Sequence, residues 1–438
     1  MKMISLSRLA DLRPTFIDEV VKRVEACEDE VVKLCSRLVQ FPTFNPPGIT
    51  TDCVKFIEEY FERWGIRSKI YQNKEGKLNI CGEVPGEKPG KILYLMHLDV
   101  VPEGDRRLWT YDPYGGVIAD GKVYGRGACD MKGSCAAAMV AAKILSQLDP
   151  EKHCSAEFWF TCDEEVGSDE HGAGWLARTG RFKADVCLEG DCFMFPGRPA
   201  IDIGMKGGMG TVRKTFGKAA HGSQPHMGDN AIDKLIRVLA YAKRLEEYPL
   251  EIVDEMKPVY EACIKYYDEQ ETLTEEQKAG FKRIWRHPTV SLNLIKGGVK
   301  TNVVPDSAEA YLDIRICPGS NLQPIKEQLL KLIAESQVKD VEVKISGPTG
   351  GYYEPPNSKP VKQLIKTVEL ATGITPTLKV ETGGNDAIYI KKYGLNIPCL
   401  GFGAGDEGLL HLTNEYVSIE NLVICAKVYT VFPLVYAK

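Results

Sequence analysis

Four short apolar runs, at residues 78–84, 92–99, 155–162 and 185–189, alternate with stretches whose apolar residues recur at helical spacing. This alternation constrains the fold more than any other feature of the chain. Runs of that length suit buried strands. Strands separated by helices pair largely in parallel, because a parallel crossover needs a connection of about a helix length. The expected fold class is therefore α/β, a mixed, largely parallel sheet with flanking helices. Ile17, Val20, Val21 and Val24, then Val31, Cys35 and Leu38, mark one long helix or two short ones over 16–41. The segment "FPTFNPPG" at 41–48 ends that pattern. Val54, Ile57, Phe61 and Trp64 share one face of a helix over 51–64. The alanine-rich "DMKGSCAAAMVAAKILSQL" at 130–148 should be helical with Asp130 as its N-cap, and another helix is expected near 169–179.

The texture changes near residue 204, where "GMKGGMGTVRKTFGKAAHGSQP" mixes glycines with basic residues. Residues 231–286 then read as mostly helical, and "TVSLNLIKGG" and "EAYLDIRIC" as strands. A chain of 438 residues is long for one core. The expected organisation is one α/β domain in two pieces, 1–203 and 318–438, with an α+β domain inserted at 204–317.

Ligand sites in open α/β sheets form beyond the carboxyl ends of the strands. Several hard-ligand residues fall there or in the following loops. His97 ends "ILYLMH", Asp130 follows "YGRGAC", Glu164 and Glu165 follow "AEFWFTCD", Glu189 ends "ADVCLE", and His411 lies in "GDEGLLHLTNEY". Each alone has an ordinary reading: a satisfied core histidine, a helix cap, a solvated acidic turn. Five segments converging on one sheet edge point instead to metal. Asp99, two residues past His97, suits an orienting role, because a ligating histidine donates its other ring N–H to an oxygen. The adjacent Glu164 and Glu165 allow one carboxylate to hold metal while the other moves a proton.

The ordered set "MHLDVVPEGD", "YGRGACDMKG", "TCDEEVGS", "CLEGD", "AAHGSQPHMGDNAI", "TNVVPDSAEAYLDIR" and "HLTNEY" resembles the acetylornithine deacetylase / succinyl-diaminopimelate desuccinylase family. That family belongs to the co-catalytic zinc aminoacylase and carboxypeptidase group. The resemblance implies a zinc-peptidase-like catalytic domain with an inserted dimerisation domain, hence a homodimer. It implies two divalent metal ions, zinc or else cobalt or manganese. His97 and Glu189 would hold one, Glu165 and His411 the other, and Asp130 would bridge them. Glu164 would be the general base and Asp99 would orient His97. His221 would steady the oxyanion, in cis or from the partner subunit. Asn302 and Arg315 would bind the substrate's carboxylate end, and "ETGGND" would place Gly383 and Gly384 at the pocket, with Asn385 where the family has Thr or Ser. For Arg315 a structural ion pair is an equal reading.

The implied reaction is hydrolysis of a small N-acyl amino acid or related amide. A dipeptidase or carboxypeptidase reaction would use the same site. A metal-binding dimer without turnover would need a broken site, and the candidate base argues against it. A cysteine hydrolase built on Cys129 or Cys135 has weaker support. Other properties narrow the setting. A net charge of −5 offers no basic excess for nucleic acid. No apolar run approaches the roughly 18 residues of a membrane span. Arg8, Asp11 and Arg13 stand where a secretion signal needs apolar residues. The 14 cysteines include no Cys-x-x-Cys pair. The expected location is cytoplasmic.

Overall fold

The structure is a computed structural model that describes residues 12–195, 198–271 and 273–438. Most of the N-terminal stretch weighed above as a secretion signal lies outside the described residues. The chain divides into two units. The first comprises residues up to Ile203, Glu354–Lys379 and Asn385–Lys438. The second comprises Gly204–Tyr353 and Val380–Gly384.

In the first unit the strands run in the order Arg67–Lys74, Lys77–Val84, Cys154–Thr161, Lys88–His97, Val186–Glu189, Cys399–Gly401. The first two pairings are antiparallel and the next three parallel. This is the mixed, largely parallel sheet expected from the alternation. Ile92 to Leu95 have no exposed surface, as befits a parallel strand covered on both faces. Helices Gly133–Ser146 and Ile419–Val435 are apolar nearly all round and pack against each other.

One local expectation changes, and two further details come from the structure. The first helical stretch is two helices, Leu12–Glu25 and Glu28–Val39. The polar strand Arg67–Lys74 lies at the sheet edge, mostly exposed, so burial wrote no apolar pattern into it. Asp130 is not a helix cap. The helix begins at Gly133, and Asp130 precedes it with non-helical φ −121° and ψ 92°. Its carboxylate is therefore not spent on backbone N–H groups of the helix.

In the second unit, an antiparallel sheet has the order 341–353, 200–216, 307–316, 289–297. Thr211, Arg213 and Thr215 alternate inward, and Ala308 and Ala310 meet Ala231 and Leu235 of helix Ala231–Lys243. This unit continues past residue 317 to Tyr353, because Val341–Tyr353 pairs along the strand that begins it. Its helical segment Lys257–Asp268 is anchored by Tyr260, whose ring stacks on buried Trp285 at 5.3 Å.

Candidate metal centre and active site

The central strand Lys88–His97 delivers a buried His97 to the carboxyl edge of the first unit's sheet. Its Nδ1 lies 2.9 Å from the backbone carbonyl of Asp99, which leaves Nε2 to face Asp130 Oδ1 at 3.0 Å. The Asp99 carboxylate stands 3.8 Å from Nδ1, beyond hydrogen-bond range. Asp99 thus orients His97 through its main chain, not through the side chain as expected. Its carboxylate has a different task. It accepts the N–H groups of Glu164 at 3.1 Å and Glu165 at 3.3 Å, the otherwise unsatisfied start of a single helical turn.

Two residues outside the motif reading support that turn. Asn45 Nδ2 donates to Asp99 at 2.8 Å and to Asp163 Oδ1 at 2.9 Å. Lys77 forms a buried ion pair with the same Asp163 oxygen. Asp163 itself has φ +67°, a left-handed conformation that aspartate tolerates better than most residues. Asn45 sits in "FPTFNPPG", where only the loop was legible. Its partners are 54 and 118 residues away.

Asp130 lies between two histidines. Oδ1 faces His97 Nε2, and Oδ2 faces His411 Nε2 at 3.3 Å. His411 also lies 3.3 Å from Glu165 Oε2, while Glu165 Oε1 accepts the Val101 N–H at 3.0 Å. Burial opposes the Asp130 charge, yet the hydrogen bonds from both histidines hold its pKa below the ordinary range. Burial likewise opposes charge on His97, but Asp130 outweighs it and raises that pKa well above normal. Asp130 and then Glu165 raise His411 to about 10.

Two groups of donor atoms, each within 4.8 Å of one another, result: His97, Asp130 and Asp191, and Asp130, Glu165 and His411. They share Asp130, one oxygen to each histidine. Imidazole and carboxylate donors with a shared aspartate fit a pair of divalent cations.

One expected ligand falls outside the two groups: Asp191, rather than Glu189, lies with His97 and Asp130. Glu189 belongs to the buried strand opposite Leu95. Its Oε1 accepts the Asp191 N–H at 3.4 Å, and Oε2 is buried without a hydrogen-bond partner among the described residues. Burial, with Asp386 and Asp191 nearby, pushes its pKa well up. Gly190 between them passes so close to Met131 and Met96 that a Cβ would meet them at 2.7 and 2.8 Å. The segment "EGD" offered both carboxylates; only the path of the chain past the strand end separates them. Asp191→Asn should lower bound metal from two ions to one per chain, and Glu189→Gln should leave two, as read by elemental analysis after dialysis.

Glu164 is half-buried and its carboxylate is not used by either histidine. Burial raises its pKa well above the usual range, His97 opposes this, and Asp191, Asp386 and Asp130 add to it. A carboxylate so raised is more basic than an ordinary one, which suits a group that takes a proton. The cysteine alternative loses ground here. Burial pushes the Cys129 and Cys135 thiols far above their ordinary range, and neither offers a ready thiolate.

The remaining candidates belong to the second unit. His221 sits on a short ribbon in which 220–221 pairs with 303–304, and the Gly222 N–H donates to Asn302 O at 2.8 Å. The ribbon thus brings His221 and Asn302 together. His221 is exposed, with Nδ1 2.7 Å from Ser223 Oγ. Arg315 Nε donates to both oxygens of Asp313 at 3.1 Å, the structural ion pair that was its alternative reading. Gly383 donates its N–H to Glu381 Oε1 at 3.2 Å, and Gly384 lies beside Met205.

Comparison with known proteins extends the reading. A "Probable succinyl-diaminopimelate desuccinylase" of Staphylococcus aureus (strain Mu50) is 26% identical over 415 residues, covering 92% of this chain and 98% of its own. Among solved structures, an M20 family metallo-carboxypeptidase from Sulfolobus solfataricus superposes with a TM-score of 0.75 at 21% identity, covering 93% of this chain and 99% of its own. Human carnosine dipeptidase 1 gives 0.72 at 18%, covering 95% and 98%. The model of peptidase family M20/M25/M40 matches residues 93–434, a span that begins in the strand carrying His97 and ends past His411. The shared aspartate between two histidines, the free glutamate beside it and this match over most of the chain lead to one conclusion: the chain belongs to peptidase family M20/M25/M40 and is a metal-dependent amide hydrolase.

Proposed function

We propose that the protein is a two-metal deacylase that hydrolyses the amide bond of a small N-acyl amino acid or related amide. The observation that carries this is the division of Asp130's two oxygens between His97 and His411, with Glu164 adjacent and unspent. His97, Asp130 and Asp191 would hold one ion, and Asp130, Glu165 and His411 the other. Zinc suits the mixed donor set, with cobalt and manganese as alternatives. When bound, such a pair acidifies a water and polarises the scissile carbonyl. Glu164 accepts the proton released in the attack and delivers it to the leaving nitrogen. Asp99, through its hold on the Glu164 and Glu165 N–H groups, keeps the base aimed while it shuttles. His221 donates to the developing oxyanion. Asn302, Arg315, through the amino groups not committed to Asp313, and the Gly383–Gly384 turn receive the substrate's carboxylate end.

A dipeptidase or carboxypeptidase reaction is the second reading, favoured by the fold it shares with proteins bearing those names. A panel of N-acetyl, N-succinyl and N-formyl amino acids and dipeptides separates the two, with zinc, cobalt or manganese restored after chelation. Metal-dependent amine release from acyl amino acids but not dipeptides supports the deacylase. The reverse pattern replaces it with the peptidase, and no release with any metal sinks both.

We also infer a homodimer. Strand Thr289–Gly297 forms an edge of its sheet, and Leu292, Leu294 and Ile295 are each about half exposed on it. An open apolar edge invites pairing with another strand, and a second copy supplies one. Sedimentation at micromolar concentration should give twice the 48.6 kDa chain mass, and a monomer would also rule out His221 acting from a partner subunit. Cysteines kept as thiols suit a reducing compartment such as the cytoplasm.

A further inference from the structure

Between the loops that carry Asp130 and His411 lies a pair of charges that the proposed reaction does not use. Arg126 and Glu415 are 3% and 1% exposed and meet through Nη1 and Oε2 at 2.5 Å. The other Glu415 oxygen accepts two backbone N–H groups, of Cys129 at 2.9 Å and of Asp130 at 3.1 Å. The other Arg126 amino group, Nη2, donates to the backbone carbonyl of His411 at 3.2 Å. The main chains are tied as well, with the Gly125 N–H on Glu415 O at 2.9 Å. The guanidinium carbon lies 5.3 Å from the Trp109 ring centroid. An unbroken polar path thus runs from the Asp130 amide through Glu415 and Arg126 to the His411 carbonyl.

Neither ligand is held by regular structure. Asp130 sits in the irregular turn ahead of the Gly133 helix, so its N–H has no helical acceptor. His411 has φ +60°, a left-handed conformation uncommon outside glycine, and its side chain is half exposed. Something outside each loop must fix its position. The Glu165 side of this group is held separately, by Asp99 and Val101. Two buried charges are a poor way to gain stability, since an apolar pair of similar volume is often as good. An apolar pair, however, cannot grip an amide on one loop and a carbonyl on the other.

We propose that Arg126 and Glu415 are positioning residues, a clamp that sets the separation of Asp130 and His411 and thereby the affinity of the metal position these two share with Glu165. The inference rests on the two-metal reading above. It predicts an asymmetric effect, because the clamp reaches His411 and not Asp191.

The test uses the full-length protein freed of metal and titrated with zinc by competition against a chelator. In the double variant Arg126→Met, Glu415→Gln, the glutamine oxygen still accepts both amides and the methionine fills the space. The side-chain link to His411 is cut, together with the guanidinium contacts to Glu415 and Trp109. One of the two zinc positions should weaken about 10- to 100-fold, the range seen when groups supporting metal ligands are removed. The other should stay within about threefold, and kcat should recover in excess zinc. Arg126→Lys keeps the charge on Glu415 without a second fixed donor. It should weaken the same position by less, and it serves as the test if the double variant does not fold. Unchanged affinity at both positions, or equal weakening at both, overturns the clamp while leaving the two-metal reading intact. Wild-type protein that takes up fewer than two zinc ions fails the two-metal reading, and the clamp with it.

Discussion

Glu164→Gln should keep both metal ions and lose turnover by about 10²- to 10⁴-fold, the usual contribution of a positioned general base. Glutamine matches the shape of glutamate and leaves the Glu164 N–H on Asp99 undisturbed. It cannot take a proton. No donor atom of Glu164 belongs to either metal-capable group, so metal content should not change. The acid limb of the wild-type pH–rate profile should vanish in the variant, because that limb reports protonation of the base. Elemental analysis and steady-state kinetics on the same preparation decide it. Wild-type-like kcat removes Glu164 as the base, and loss of metal makes it a ligand instead.

Asp130→Ala should abolish both metal positions, a larger effect than any other single ligand change. Each of its oxygens serves a different histidine, so one truncation removes an anionic donor from both groups at once. By contrast His411→Ala removes a donor from one group only and should leave one ion per chain. Metal per chain for wild type, His411→Ala and Asp130→Ala should therefore read two, one and none. Two ions retained in Asp130→Ala would mean that the two groups are not joined through this residue.

Much of the site was legible because its residues sit where sheet geometry puts ligands. His97, Glu164 and Glu165 close or follow strands, and the apolar runs before them identify those strands. Glu189 shows the limit. It ends a strand as His97 does, yet it lies buried against Leu95 while Asp191, two residues later, reaches the histidine. Periodicity places a side chain on a face only while the strand lasts, and this strand ends at Glu189. Asp99 shows the same from another side: it lies beside His97, but its carboxylate caps the acidic turn. Asn45 and Lys77 lie outside the quoted motifs, and Arg126 and Glu415 lie inside them with no sign of their role. Each supports the site through partners 54 to 289 residues away, with no local pattern to reveal them.

The α/β alternation, the change of texture at residue 204 and the residue types able to hold metal all rest on spacing within a few residues. Which carboxylate meets which histidine, the division of Asp130's oxygens between two of them, and the extension of the second unit to Tyr353 emerge only in the folded chain. These depend on where separate loops leave the sheet and which strands pair. Hydrogen bonds and burial between distant segments set both, and no local pattern encodes them.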